Sequence, residues 1–142
     1  MLCYNLIMET EKMFVGQITQ KAILKYKNSF VILKQAGGEK WILPGGRLNV
    51  GETAGEGLLR EIKEELSVDA KIGKLISVYA YNSEKKNKSS KLFVFYQATV
   101  LPKQEIAIKS EIVDIAYVSK KEDLKNYEMH ENQRSVLMKF LA

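Results

Sequence analysis

The sequence lacks the features that mark a disulfide-bonded secreted protein or a membrane protein. Its 142 residues contain one cysteine, Cys3, so no disulfide can form within the chain. No apolar run approaches the ~20 residues that a membrane-spanning helix needs. The N-terminal segment carries Glu9 and Glu11 where a secretory signal would have a cationic leader. We therefore expect a cytoplasmic protein that does not act at a membrane.

Proline is scarce as well, and acidic residues are outnumbered. Pro44 and Pro102 are the only prolines, and no proline-rich linker divides the chain. Lysine and arginine number 22 against 17 aspartate and glutamate residues, a formal net charge of +5. Such an excess attracts anionic ligands. The densest basic run is 83–91, for which we expect an exposed hairpin loop, with a specific phosphate or RNA contact as the alternative.

Turn-forming residues separate β-favouring segments along most of the chain. The pattern predicts strands over 17–26, 30–35, 40–43, 74–82, 92–101 and 112–118. It predicts a sharp break at Pro44-Gly45-Gly46, a helix over 53–66, a helix start from the capping box of Ser119 and Glu122, and a last helix over 132–141. We expect an N-terminal extension over 1–15 and one domain over 16–142. A helix on each side of a mixed sheet makes this domain an α/β/α sandwich.

The segment GRLNVGETAGEGLLREIKEELSV, residues 46–68, places acidic residues together on the predicted helix. Glu61, Glu64 and Glu65 fall at i, i+3 and i+4 and share one helical face. Each like pair costs an exposed helix ~0.2–0.5 kcal/mol. A hard divalent cation such as Mg²⁺, which takes oxygen ligands, would turn this repulsion into binding. A solvated acidic helix face is the alternative reading of the acids alone.

The wider spacing of these residues resembles the Nudix box of hydrolases that act on nucleoside diphosphates linked to another moiety. The matching residues are Gly46, Glu52, Arg60, Glu61, Ile62, Glu64, Glu65 and Val68. The chain departs from the family pattern at Ser67, where glycine is usual. A serine in the left-handed conformation there would cost ~1–2 kcal/mol. The resemblance extends over nearly the whole chain after residue 15 and implies the Nudix fold.

The resemblance implies a set of metal ligands for Mg²⁺, with Mn²⁺ as a substitute. These are the backbone carbonyl of Gly45 and the carboxylates of Glu61 and Glu65. Glu64 would join them directly or through water. Glu111 precedes the strand predicted over 112–118, where the family often places a further acid that acts as ligand or base. A surface glutamate is the alternative at that position.

The resemblance also implies catalytic roles for Glu61, Arg60, Glu52 and Glu64. Arg60 would orient an acid, and Glu52 would brace the loop onto the helix. A divalent cation would neutralise the charged oxygens of a pyrophosphate and make water more acidic. Glu61 is our first choice for the group that accepts the proton, with a base on a downstream loop as the alternative. For His130, the only histidine, we expect a surface or capping role at the head of the last helix.

The substrate class follows less directly from the residues. The chain lacks the proline after the box that marks many ADP-ribose hydrolases, and Glu84-Lys85-Lys86 replaces the tyrosine segment of dinucleoside-polyphosphate enzymes. We favour a nucleoside triphosphate or a nucleotide-sugar diphosphate over an RNA end. The family resemblance also suggests a homodimer. A non-catalytic nucleotide- or RNA-binding module and a structural interaction domain are the rival functions.

Overall fold

The computed structural model describes residues 13–83, 89–109 and 111–142. Most of the predicted extension 1–15 and of the basic run 83–91 lies outside the described residues. No helix in the described part of the chain is long and apolar enough to cross a membrane. The elements in chain order are β1 (Gly16–Tyr26), β2 (Ser29–Gln35), β3 (Gly45–Arg47), α1 (Ala54–Leu66), β4 (Ala70–Tyr81), β5 (Ser90–Val100), β6 (Ile112–Val118), a 3-10 helix (Lys121–Asn126) and α2 (Glu131–Met138).

The described strands form one mixed sheet in the order β4-β5-β1-β2-β6. Strands β1 and β5 are parallel, and the other neighbours are antiparallel. Along one edge of β1, residues 19–21 pair with β3, whereas residues 25–26 pair with β2. This shared edge brings the short strand β3 to the centre of the molecule. The predicted α/β architecture with a mixed sheet is confirmed.

Packing on both faces of the sheet explains why β1 is continuously buried from Thr19 to Leu24. Ala22 and Leu24 face α1, and Ile23 faces α2. Helix α1 covers its face with the fully buried side chains of Leu58, Ile62 and Leu66. Helix α2 covers the opposite face through its own buried positions, Val136 and Leu137. A strand buried on both sides loses the polar alternation of a surface strand. The sandwich of one sheet between two helices is as predicted.

The segment before the glycine pair differs from its prediction. Residues 40–43 form two isolated bridges, Leu33 with Ile42 and Trp41 with Met129, instead of a continuous strand. The sharp break predicted at Pro44-Gly45-Gly46 is wrong for its second half, because Gly45–Arg47 is strand β3. The physical reason is the pairing with β1, which supplies backbone partners to residues whose local preference is for a turn. The pairing of β3 with β1 could not be predicted from local residue preferences, because the two strands are distant in the sequence.

The helix starts agree only in part with the sequence. Thr53 begins α1 through a capping box with Glu56, whose carboxylate accepts the Thr53 N–H at 2.9 Å. The helix start predicted from Ser119 and Glu122 is wrong by one residue, because the N-cap residue of the helix is Lys120. A 3-10 helix forms there, and it is Asp123 whose carboxylate accepts the N–H groups of residues 119 and 120, both at 2.9 Å. The last α-helix ends at Met138, earlier than predicted.

Ser67 ends α1 in the left-handed conformation that a glycine at this position would allow without strain, with φ 61° and ψ 24°. Its hydroxyl donates to the Ala107 carbonyl at 2.8 Å. Two backbone bonds add to this contact, from the Ala107 N–H to the Leu66 carbonyl at 3.0 Å and from the Lys109 N–H to the Glu65 carbonyl at 3.3 Å. The connection between β5 and β6 therefore satisfies the free carbonyls at the end of α1. This docking directs the chain toward Glu111.

The hydroxyl bond predicts opposite outcomes for two substitutions of Ser67. Ser67→Ala keeps the left-handed strain and loses the bond to Ala107, so we expect it to destabilise the fold by about 1 kcal/mol. Ser67→Gly loses the same bond but relieves ~1 kcal/mol of strain, so its net effect should be close to zero. Urea denaturation of both variants measures the difference. A glycine variant that is less stable than the alanine variant would contradict this account.

Candidate active site

The site is built around Glu65, the acid of α1 that the fold buries most completely. Its residue is 7% exposed, and its Oε1 accepts the Gly45 N–H at 2.7 Å. Helix α1 and strand β3 are thereby joined through one carboxylate. Glu64, its neighbour on the same helix, has a side chain that is 59% exposed. The two acids therefore have different surroundings, although they were predicted to share one face.

Lys21 completes the buried centre of the site, and sequence reasoning missed it. It lies on β1 opposite Gly45 and is 6% exposed. Its Nζ donates to the carbonyls of Leu43 at 3.0 Å and Gly45 at 3.2 Å. Gly45 is thus held on both sides, because its N–H binds Glu65 and its carbonyl binds Lys21. The only signal in the sequence is the polar run Thr19-Gln20-Lys21, which directly precedes the apolar residues 22–24.

Burial shifts the pKa values of Glu65 and Lys21 in the directions that favour the neutral form of each group. Burial raises the pKa of Glu65 from 4.5 to about 7, against the opposing effects of the Lys21 charge and the Gly45 N–H. The nearby charges of Glu61 and Glu111 raise it further. Burial likewise lowers the pKa of Lys21, which the charges of Glu65 and Glu61 partly restore. The site therefore holds a carboxyl group, that of Glu65, whose ionisation a further cation would favour.

We expect the raised pKa of Glu65 to make the metal-free protein lose stability as pH rises. The folded state holds the proton up to about pH 7, whereas an ordinary carboxyl with a pKa of 4.5 has already released it. The contribution is present below pH 4.5 and is lost as pH rises through about 7, with an upper limit of roughly 3 kcal/mol. Thermal melts in EDTA between pH 5 and about 8 should show this loss in the wild type relative to Glu65→Gln. Parallel pH profiles for the two proteins would contradict it.

Arg60 connects the remaining acids of the motif. Its Nε donates to Glu52 at 3.0 Å, and its Nη1 donates to Glu61 and Glu64, both at 3.1 Å. Its Nη2 donates to the Arg47 carbonyl of β3 at 3.1 Å. Partial burial alone would lower the pKa of Arg60, but the hydrogen bonds to the three acids outweigh it and raise that pKa. One guanidinium thus fixes three carboxylates and the strand beside them.

Glu61 lies between the glycine pair and an open cleft. A Cβ atom on Gly46 would stand 2.5–2.7 Å from the carboxylate atoms of Glu61, so only glycine leaves room for this acid. The cleft has a volume of about 730 Å³, enough for a ligand of nucleotide size. Its lining residues are Gly16, Gln17, Ile18, Arg47, Leu48, Asn49, Val50 and Glu61.

The predicted metal ligands are brought near one another, but Gly45, Glu61, Glu64 and Glu65 are bonded to protein cations and donors. The charges of Glu61 and Glu111 act on Glu65, so the helix acids and the acid before β6 lie in one electrostatic neighbourhood. Across residues 13–83, 89–109 and 111–142, however, no three acidic, histidine or cysteine side chains converge closely enough to hold a metal as they stand. The hard oxygen donors fit Mg²⁺ chemically. Their ligand roles stay predictions.

Positive charge also surrounds His130 at the start of α2. His130 is exposed at the N-cap position of α2, and its side chain makes no capping hydrogen bond, which agrees with the surface alternative of its prediction. Partial burial lowers its pKa, and the charges of Lys40, Lys91 and Lys21 lower it further. Of these three lysines, Lys21 also acts on the buried acid Glu65. A strongly anionic ligand would be attracted to the region of His130.

Comparison with known proteins places the motif in a family. The model of the NUDIX domain matches residues 19–140. The chain is 35% identical over 51 residues to diphosphoinositol polyphosphate phosphohydrolase 3-beta of Homo sapiens, a match that covers 36% of this chain and 31% of that protein. It is 37% identical over 57 residues to a Bacillus subtilis (strain 168) protein named "Putative 8-oxo-dGTP diphosphatase", covering 40% of this chain and 38% of the relative. The chain thus spans about a third of the length of these curated relatives.

The fold has solved counterparts as well. The crystal structure of a MutT protein from Methanosarcina mazei Go1 superposes with a TM-score of 0.73 at 20% identity, covering 87% of this chain and 91% of that one. At this identity the similarity concerns the fold. The family model extends over most of the chain and includes every residue of the buried site, from Lys21 to Glu111. The chain belongs to the Nudix family.

Proposed function

We propose that the chain is a metal-dependent hydrolase that cleaves a pyrophosphate bond in a nucleoside diphosphate linked to another moiety. The observation that carries the proposal is the placement of two helix acids against the two glycines. Glu65 binds the Gly45 N–H, and Glu61 lies against Gly46 beside an open cleft. A solvated acidic face would have no reason to bury one of its carboxylates, since burial is costly for a charged group.

The residues that would hold the divalent cation are Gly45, through its carbonyl, and Glu61, Glu64, Glu65 and Glu111. Mg²⁺ is the cation we propose, with Mn²⁺ as a substitute. When bound, such an ion supplies charge neutralisation at phosphate oxygens and makes water more acidic. The support comes from the donor chemistry and from the raised pKa of Glu65, which a nearby positive charge would lower.

The side chains of the motif would supply proton transfer and the positioning of the acids. Glu61 would accept a proton from a water that attacks phosphorus, a role that its position on the wall of the cleft supports. Arg60 holds one Glu61 oxygen at 3.1 Å and orients that carboxylate. Glu52 anchors Arg60 from the opposite side, at 3.0 and 3.2 Å. Glu64 shares the same guanidinium and, being exposed, is the acid that can reorient most freely.

For the substrate we favour a nucleoside triphosphate or a nucleotide-sugar diphosphate. A cleft of about 730 Å³ suits a nucleotide, and Arg47 on its wall can bind phosphate. A diphosphoinositol polyphosphate is the second candidate. Lys40 and Lys91, whose charges lower the pKa of His130, favour a heavily phosphorylated ligand. The name of the human relative points to the same class.

The test is a substrate panel assayed with Mg²⁺, with and without EDTA. It should contain nucleoside triphosphates, nucleotide sugars, a diphosphoinositol polyphosphate and an RNA with a 5′-triphosphate. We expect cleavage at a pyrophosphate bond of a nucleotide, with both products identified by mass spectrometry, and none in EDTA. Binding without cleavage would favour the non-catalytic module, and the absence of both binding and cleavage would favour a structural domain. Light scattering on the same sample tests the proposed homodimer.

A further inference from the structure

A buried lysine at the centre of an acidic site needs an explanation that the proposed reaction does not give. Lys21 is 6% exposed and lies in the middle of β1, where lysine is rarely found without a partner. Its Nζ donates hydrogen bonds to two backbone carbonyls, Leu43 at 3.0 Å and Gly45 at 3.2 Å. The negative charges of Glu65 and Glu61 also stabilise its ammonium form. These contacts are the kind that a bound cation would make.

The contacts of Lys21 overlap with the proposed metal ligands. The Gly45 carbonyl accepts a hydrogen bond from Lys21, and it is also the backbone oxygen proposed to bind the divalent ion. The charge of Glu65 stabilises the same ammonium group. Two positive centres that share one carbonyl and one carboxylate repel each other strongly in a buried site. The ammonium and a divalent ion therefore compete for this position.

The rest of the acid cluster is also balanced by protein cations. The Nη1 atom of Arg60 donates hydrogen bonds to the carboxylates of Glu61 and Glu64. In the part of the chain that the structure describes, no three metal-binding side chains converge. The acids are thus divided between two resident cations, with Arg60 on the exposed side and Lys21 on the buried side. The division explains how the neighbouring carboxylates of Glu52, Glu61, Glu64 and Glu65 are tolerated without an added ion.

We infer that Lys21 is a resident cation of the site, which holds Gly45 and Glu65 in place without metal and competes with one divalent ion for them. It is a positioning residue, since it acts through Gly45 and Glu65. The inference rests on the metal site of the proposed function. It predicts that the chain binds fewer divalent ions, or binds one of them more weakly, than the same site without the lysine.

The test measures Mn²⁺ binding to the metal-free protein by the electron paramagnetic resonance signal of free Mn²⁺. In Lys21→Met, which keeps the length of the side chain and removes its charge, we expect either one additional bound ion or an affinity higher by about tenfold or more. Lys25→Met is the matched control, since Lys25 lies on the same strand four residues later and is exposed. It changes the net charge equally and should bind Mn²⁺ as the wild type does. Equal or weaker Mn²⁺ binding by Lys21→Met would overturn the inference.

A melting experiment covers the case in which Lys21→Met folds poorly, because it leaves Glu65 buried without its counter-charge. We expect its melting temperature in EDTA to fall below that of the wild type and to rise more on adding Mn²⁺. The double variant Lys21→Met/Glu65→Gln removes both charges, so it should fold in EDTA and respond little to Mn²⁺. If Lys21→Met melts like the wild type with and without Mn²⁺, the inference is wrong. Neither readout requires turnover, so a failed substrate panel and a failed Lys21 test are distinguishable.

Discussion

Glu65→Gln is expected to reduce turnover by about a hundredfold or more while leaving the fold intact. Glutamine keeps an oxygen that can accept the Gly45 N–H, the bond that Glu65 Oε1 now makes at 2.7 Å. It removes the negative charge that a divalent cation would need and that Lys21 now partly balances. Turnover of the best substrate from the panel at saturating Mg²⁺ measures the effect. Circular dichroism and the melting temperature report on the fold.

The control for Glu65→Gln is Glu122→Gln. Glu122 is exposed on the 3-10 helix, and its replacement changes the net charge by the same amount. We expect its turnover to match that of the wild type. Near-normal hydrolysis by Glu65→Gln would remove the buried acid from the mechanism. A large loss in both variants would mean that overall charge, and not the site, governs the rate.

Alanine at the two adjacent glycines should produce two different defects. Gly45 has φ +129°, and a Cβ there would collide with the backbone carbonyl of Gln20 on the paired strand. Neither group can move without breaking the β1–β3 pairing, so we expect Gly45→Ala to destabilise the fold by about 3 kcal/mol or more. Gly46 has no such strain. A Cβ there meets only the carboxylate end of Glu61, at 2.5–2.7 Å.

Gly46→Ala should therefore cost activity more than stability. The Glu61 carboxylate is the end of a flexible side chain and can rotate away, so we expect a change in unfolding free energy below ~1 kcal/mol. The displaced acid would no longer lie against Gly46 of β3, and turnover should fall by about tenfold or more. Urea denaturation and steady-state kinetics on both variants separate the two effects. Equal losses of stability at Gly45 and Gly46 would contradict this distinction.

Local spacing was enough to predict the helix and its acids. The i, i+3, i+4 arrangement of Glu61, Glu64 and Glu65 depends only on the helical repeat, and the capping residue Thr53 confirms the predicted start. The left-handed conformation of Ser67 also follows from local chain geometry, once a helix must end there. Its hydroxyl partner, Ala107, lies 40 residues later and could not be predicted.

The spacing could not say which acid is buried. Glu64 and Glu65 are neighbours on one predicted face, yet the Glu64 side chain is 59% exposed and Glu65 is 7% exposed. The rotation of α1 about its axis decides between them, and packing of Leu58, Ile62 and Leu66 against the sheet fixes that rotation. This is a property of the assembled core, because it depends on the shape of the surface that receives the helix.

By itself, the sequence determined an acid-bearing helix that follows a glycine pair, and the family to which both belong. These features depend on residues that are near one another in the chain, and the helical and strand repeats relate such residues directly. Only the tertiary structure decided that Lys21 lies opposite Gly45, 24 residues away, and shares the buried region of Glu65. Strand register brings these groups together, and it is set by pairing between distant segments of the chain.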